Sequence, residues 1–187
     1  MMLLGYWYGC GGKIILDPLS FAYSLHWISS LYNHLDPCYK SFLIDTYFID
    51  MVAMERLVYM NPDISIWIHF CFFLFLLANS NHFHPFVCFG KLLSCFLLTF
   101  FLHDHPFFYN LSFVLSGIFY VLSDYALYYS LQYRKVMAHV CFHVCLTYGS
   151  YEESFLYNKN YKQQFHLLRI VMYLFYIGKC IVVFQKK

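Results

Sequence analysis

Charged residues are scarce in this chain. Asp, Glu, Lys and Arg make up 12% of its 187 residues while 61% are hydrophobic, where a soluble domain carries about 25% charged residues. With a mean hydropathy of +0.54, that deficit excludes an ordinary soluble domain and points to one transmembrane domain over residues 1–187. Cysteine pairs of the C-x2-C type are absent as well: the 8 cysteines are scattered through apolar runs, so neither a zinc finger nor a disulfide framework is indicated, and they read as small buried apolar residues. A formal net charge of only +2 leaves no basis for a nucleic-acid partner. The first 13 residues lack the basic start and small-residue cleavage pattern of a secretory signal. Gly9, Gly11 and Gly12 argue against a firm helix there, so the stretch reads as the remnant of a lost span.

Ala and Glu are also few, whereas Phe, Leu, Tyr, Ser, Cys and His, all with T-rich codons, abound. Chance translation of T-rich DNA is therefore a rival reading of the composition. It is not expected to produce ordered apolar blocks with breakers between them, nor polar residues matched in membrane depth.

Those blocks are present. Asp17-Pro18 reads as an N-cap followed by proline at the first helical position, opening a helix to about Asn33. Asp36-Pro37 breaks the chain, and a second apolar run extends from about Ser41 to Tyr59, ended by Asn61-Pro62. Further segments follow at about 64–78, 86–102, 107–131, 136–151 and 165–184, separated by polar turns and by the hydrophilic stretch 152–164. The expectation is an all-α polytopic membrane protein, a bundle of about seven transmembrane helices. His82, His84, His103 and His105 fall in turns and read as headgroup contacts.

Within this frame one group of residues stands out. His139 and His143 lie four apart, which puts two imidazoles on one helix face. Ser30 and His34 repeat the spacing in the 18–33 helix, and Asp45 follows near the start of the next segment. Counting crossings places His34, Asp45, His139 and His143 in one leaflet. Three histidines, a carboxylate and a serine make a candidate catalytic metal site. The plainer reading is a polar, hydrogen-bonded cluster joining three helices, with Ser30 bonding back within its own helix. A transporter using histidines as a proton relay fits less well, because it needs ionisable groups through the membrane thickness and this set gathers near one face.

In order and placement these residues resemble the CREST superfamily of seven-helix membrane hydrolases, which includes alkaline ceramidases, progestin and adiponectin receptors, and GPI-lipid remodelling enzymes. The shared pattern is S-x3-H in one helix, Asp in the next and H-x3-H in a late helix, matched by Ser30, His34, Asp45, His139 and His143. Trp27-Ile28-Ser29-Ser30 and Gly149-Ser150-Tyr151 add local likeness, and the resemblance covers about 19–151, with the 165–184 segment an addition. It departs in the helix expected before S-x3-H, in the missing acidic calcium-binding segment of ceramidases, and in Asn33 where an aromatic is usual. The resemblance implies Zn2+ held by His34, His139 and His143, Asp45 as general base, and Ser30 orienting water or stabilising an oxyanion. The substrate it implies is a membrane lipid cleaved at an amide or ester, in the endoplasmic reticulum or Golgi, with the plasma membrane as the other candidate. The alternative is a receptor or structural protein that keeps the metal as a helix clamp.

Sidedness is read from basic residues near the connections. Lys40, Lys91, Arg134, Lys135, Lys179, Lys186 and Lys187 on the site's side, against Lys13, Arg56, Lys159, Lys162 and Arg169 opposite, lean toward a cytosolic site. Asn110-Leu111-Ser112 is a glycosylation sequon expected in the connection before the 107–131 helix, on the opposite face.

Overall fold

A computed structural model describes residues 2–12, 17–60, 65–80, 107–128, 132–160 and 167–185, together with residues 87, 90, 91, 93, 94 and 97. Among these the protein is all-helical. Seven helices are described: α1 (Met2–Gly9), α2 (Pro18–Leu35), α3 (Tyr39–Met60), α4 (Ile66–Ala78), α5 (Phe107–Tyr128), α6 (Gln132–Asn160) and α7 (Leu167–Gln185). Most of the expected 86–102 segment, including its ends, lies outside the described residues, as do His82, His84, His103 and His105. The helices fall into two compact units, one holding α1, α5 and α6, the other α2, α3, α4 and α7.

Among the described residues only α7 is both long and apolar enough to cross a membrane; Ile66–Ala78 and Phe107–Ser123 are apolar but shorter. α3 has the length, at 22 residues, but carries Lys40, Asp45, Asp50, Glu55 and Arg56. The 29-residue α6 likewise includes Arg134, Lys135, Glu152, Glu153 and Lys159.

Local chemistry explains where the helices of the second unit begin. The Asp17 carboxylate accepts from the amides of Leu19 at 2.8 Å and Ser20 at 3.0 Å, Ser20 Oγ accepts in turn from the Asp17 amide, and Pro18 supplies the fixed φ of the first turn. At the head of α3 a thiol takes the capping role: the Ser41 amide points at Cys38 Sγ at 3.5 Å while the Cys38 amide donates to Ser41 Oγ at 2.9 Å. α4 opens on Ser65, whose hydroxyl accepts from Trp67, and closes on Asn79, whose amide donates to the Phe75 carbonyl at 2.8 Å.

Three expectations are corrected. The first residues form a helix, because Gly5 and Gly9 serve contact rather than flexibility: a Cβ on Gly5 would stand 2.1 Å from the Thr147 carbonyl oxygen, and one on Gly9 1.8 Å from Ser154 Oγ. α1 therefore lies backbone to backbone against α6, and only Gly11 and Gly12, at φ 67° and 74°, end it. α6 runs beyond 136–151 at both ends, since the hydrophilic stretch after Tyr151 is helical to Asn160 and buries Glu153 under the Tyr109 hydroxyl at 3.1 Å. The sequon lies inside α5, not in a connection: Ser112 is buried and gives its hydroxyl to the Tyr109 carbonyl at 2.7 Å.

Candidate metal centre

His139 and His143 sit one turn apart on α6, both half-buried. Their Nε2 atoms approach to 3.0 Å, with ring planes at 87° and centroids 4.6 Å apart. Two neutral imidazoles meet this way when one Nε2–H donates to the other, or when both lone pairs face one cation. Two ligands on one tetrahedral Zn2+ at about 2.0–2.1 Å stand about 3.3 Å from each other, so the observed spacing fits a shared ion with little adjustment. Below the pair, Thr147 Oγ1 donates to the His143 carbonyl at 2.7 Å, and Phe142 packs 5.1 Å from the His143 ring and 5.4 Å from Tyr120. These contacts restrict the rotamers of a pair that must converge on one point.

The other expected residues belong to the α2–α3 hairpin. His34 is exposed in the last turn of α2, Ser30 is half-buried one turn earlier, and Asp45 is half-buried in the second turn of α3. Asp45 is tied across to α2. Ser29 Oγ lies 2.9 Å from Oδ1, Asn33 Nδ2 lies 3.5 Å from Oδ2, and His26 Nδ1 is 3.2 Å from Oδ1, close enough for charge pairing but off the direction of an N–H donor. The bond to Asp45 is thus made by Ser29, and among the described residues Ser30 makes none to it. Asn33 is held in turn by Ser41, whose Oγ lies 3.1 Å from Asn33 Oδ1. His26, Ser29 and Asn33 are residues that motif reading missed. Their i, i+3, i+7 spacing marks one polar stripe along α2, beside the stripe of Ser30 and His34.

A second set of buried polar residues was also missed. In the second unit, Lys91 Nζ lies 3.1 Å from Asp50 Oδ2 and the Tyr176 hydroxyl lies 3.0 Å from the same oxygen, with Asp50 and Lys91 no more than 1% exposed. Arg169 Nη2 is 2.8 Å from Glu55 Oε2. Lys179 reaches the Ser80 hydroxyl and lies over the rings of Tyr47 and Phe175, each at 5.1 Å. Lys91, Arg56 and Arg169 are therefore buried among helices, so the charge count loses Lys91 on the site's side and Arg56 and Arg169 on the other. No family model, no curated protein and no solved structure matches this chain.

Proposed function

We propose that the protein is a zinc-dependent hydrolase embedded in a membrane of the endoplasmic reticulum or Golgi, of the seven-helix CREST kind, cleaving a lipid amide or ester. The observation that carries the reading is the convergence of His139 Nε2 and His143 Nε2 at 3.0 Å on one face of α6. On this reading His34 would be the third nitrogen ligand. A zinc ion held by these residues contributes Lewis-acid polarisation and lowers the pKa of water toward about 7. Asp45 would serve as general base, and its hydrogen bonds from Ser29 and Asn33 would fix the direction in which it accepts. Ser30, on the stripe shared with His34, would be the hydroxyl placed to donate to an oxyanion on the lipid carbonyl. The substrate is drawn from the lipid phase, consistent with a chain 61% hydrophobic that holds one helix able to span a bilayer.

One observation favours a second reading. Ser29 and Asn33 fasten α2 to α3 through Asp45, as a purely structural clamp would. The two separate on chelation. An enzyme loses hydrolysis of a fluorescent ceramide and phospholipid panel, whereas a receptor or structural protein that keeps the metal as a helix clamp has no hydrolysis to lose and shows only a lower unfolding temperature. Metal analysis of detergent-purified protein tests the shared premise: zinc near one per chain is expected in wild type and its loss in the His139→Ala/His143→Ala double variant. Wild-type protein without stoichiometric zinc, or zinc undiminished in the double variant, refutes it.

A further inference from the structure

Three acidic side chains of α3 are covered by neighbouring helices, and each lies against a basic group. Asp50 faces Lys91 and Glu55 faces Arg169. Asp45 instead faces His26 of α2, whose Nδ1 lies 3.2 Å from Oδ1, the two side chains being only 15% and 13% exposed. Among the described residues no lysine or arginine pairs with Asp45. The cation available to this carboxylate is therefore one that exists only while a proton is held, and histidine is the side chain that takes and gives a proton near neutral pH.

The hydrogen-bond donors around the pair are too few to settle it. Ser29 has a single hydroxyl proton, yet its Oγ lies 2.9 Å from both the His26 carbonyl and Asp45 Oδ1. Asn33 Nδ2, at 3.5 Å from Oδ2, stands at the outer limit of a hydrogen bond. His26 Nδ1 is buried and makes no hydrogen bond, the line to Oδ1 being off its N–H direction. When Nδ1 is unprotonated, a lone pair and a carboxylate oxygen stand side by side with nothing between them, an arrangement that costs free energy in a buried place. One added proton turns that repulsion into attraction. Histidine χ2 is a broad torsion, so the ring can turn into line without leaving its χ1 well.

We propose that His26 is a positioning residue that acts through Asp45, holding at Nδ1 the proton that Asp45 takes from water. The proposal rests on the hydrolase reading given above. In amide or ester cleavage water loses a proton as its oxygen bonds to the carbonyl carbon, and the nitrogen or oxygen that leaves gains one as its bond to that carbon breaks. Asp45 accepts the first proton. The O–H bond at Oδ1 then breaks and an N–H bond at Nδ1 forms, which leaves a carboxylate beside an imidazolium. The reverse transfer returns the proton to Asp45 for the leaving group, so His26 ends as it began and nothing else is consumed.

The test uses zinc-loaded full-length protein in detergent with the fluorescent ceramide and phospholipid panel. His26→Gln should lower kcat about 10–100-fold while KM and zinc content stay at wild-type values, and imidazole added to His26→Gly should restore part of the rate. His26→Asn takes its place if His26→Gln does not fold. A second measurement needs neither metal nor substrate: in protein labelled with 15N at histidine, the His26 signal, assigned by its loss in the His26 variant, should move in Asp45→Asn. Hydrolysis at the wild-type rate in a folded His26 variant overturns this proposal alone, as does a slowed His26→Gly that imidazole leaves slow or a His26 signal that Asp45→Asn does not move. Wild-type protein that holds no zinc, or holds it without hydrolysing any lipid of the panel, overturns the proposal together with the hydrolase reading.

Discussion

The two units solve the same packing problem with opposite chemistry. In the α1–α5–α6 unit, close approach is made by removing side chains: Gly5 and Gly9 of α1 lie on Thr147 and Ser154, and Gly149 of α6 on Ser112 and Phe113 of α5. Ser112, Ser116, Ser150 and Ser154 are buried there, and each hydroxyl is satisfied by a carbonyl of its own helix. Small residues at a helix interface let the backbones approach closely. The α2–α3–α4–α7 unit instead joins its helices through Asp50–Lys91, Asp50–Tyr176 and Glu55–Arg169. Helices held by van der Waals contact tolerate no added volume, and helices held by charge tolerate no lost partner.

The comparison is broken most sharply at Arg169. Arg169→Met leaves Glu55 as an unpaired buried carboxylate and should cost about 3–5 kcal/mol, whereas Glu55→Leu/Arg169→Met removes both charges and should recover most of that loss. Thermal or denaturant unfolding in detergent measures both. A single variant as stable as the double would show that the ion pair does not join α3 to α7.

In the other unit the corresponding change adds one methyl group. Gly5→Ala places Cβ against the Thr147 carbonyl oxygen, a backbone atom that cannot swing aside. An overpacking cost of about 1–3 kcal/mol is expected, read as release of α1 and faster proteolysis between α1 and α2. Gly178→Ala is the control, because a Cβ there meets nothing within 4 Å.

The same contrast decides what was legible in the sequence. Helix starts with their own local chemistry were readable: Asp17-Pro18 caps α2 where expected, and Asp36-Pro37 separates α2 from α3. The convergence of His139 and His143 was readable as well, because i, i+4 spacing alone brings two side chains together. What depends on a distant partner was not. Gly5 and Gly9 look like flexibility until Thr147 and Ser154 stand against them, and Glu153 looks solvated until Tyr109 covers it. Lys91 and Arg169 were counted as loop charges for want of Asp50 and Glu55, 41 residues away in the first case. The one available signal was three acidic residues inside an apolar run, where a charge without a neighbour of its own requires one from elsewhere. At Asp45 the motif directed attention to Ser30, whereas the hydrogen bond comes from Ser29, a choice set by the rotation of α2 against α3.

The smallest expected effect separates the two chemistries within a single residue. Asp17 caps α2 through hydrogen bonds to the Leu19 and Ser20 amides, and its carboxylate also lies close enough to Glu55 for the two charges to interact. As a cap it stabilises α2, but as a second acid beside Glu55 it opposes the ion pair with Arg169. Asp17→Ala loses the acceptor and should cost about 1 kcal/mol. Asp17→Asn keeps an acceptor oxygen while removing the charge, so it should be as stable as wild type or slightly more. Unfolding of the two variants side by side orders them. If Asp17→Asn proves as unstable as Asp17→Ala, the charge rather than the hydrogen-bond geometry holds the head of α2, and the electrostatic character of this unit extends to its helix ends.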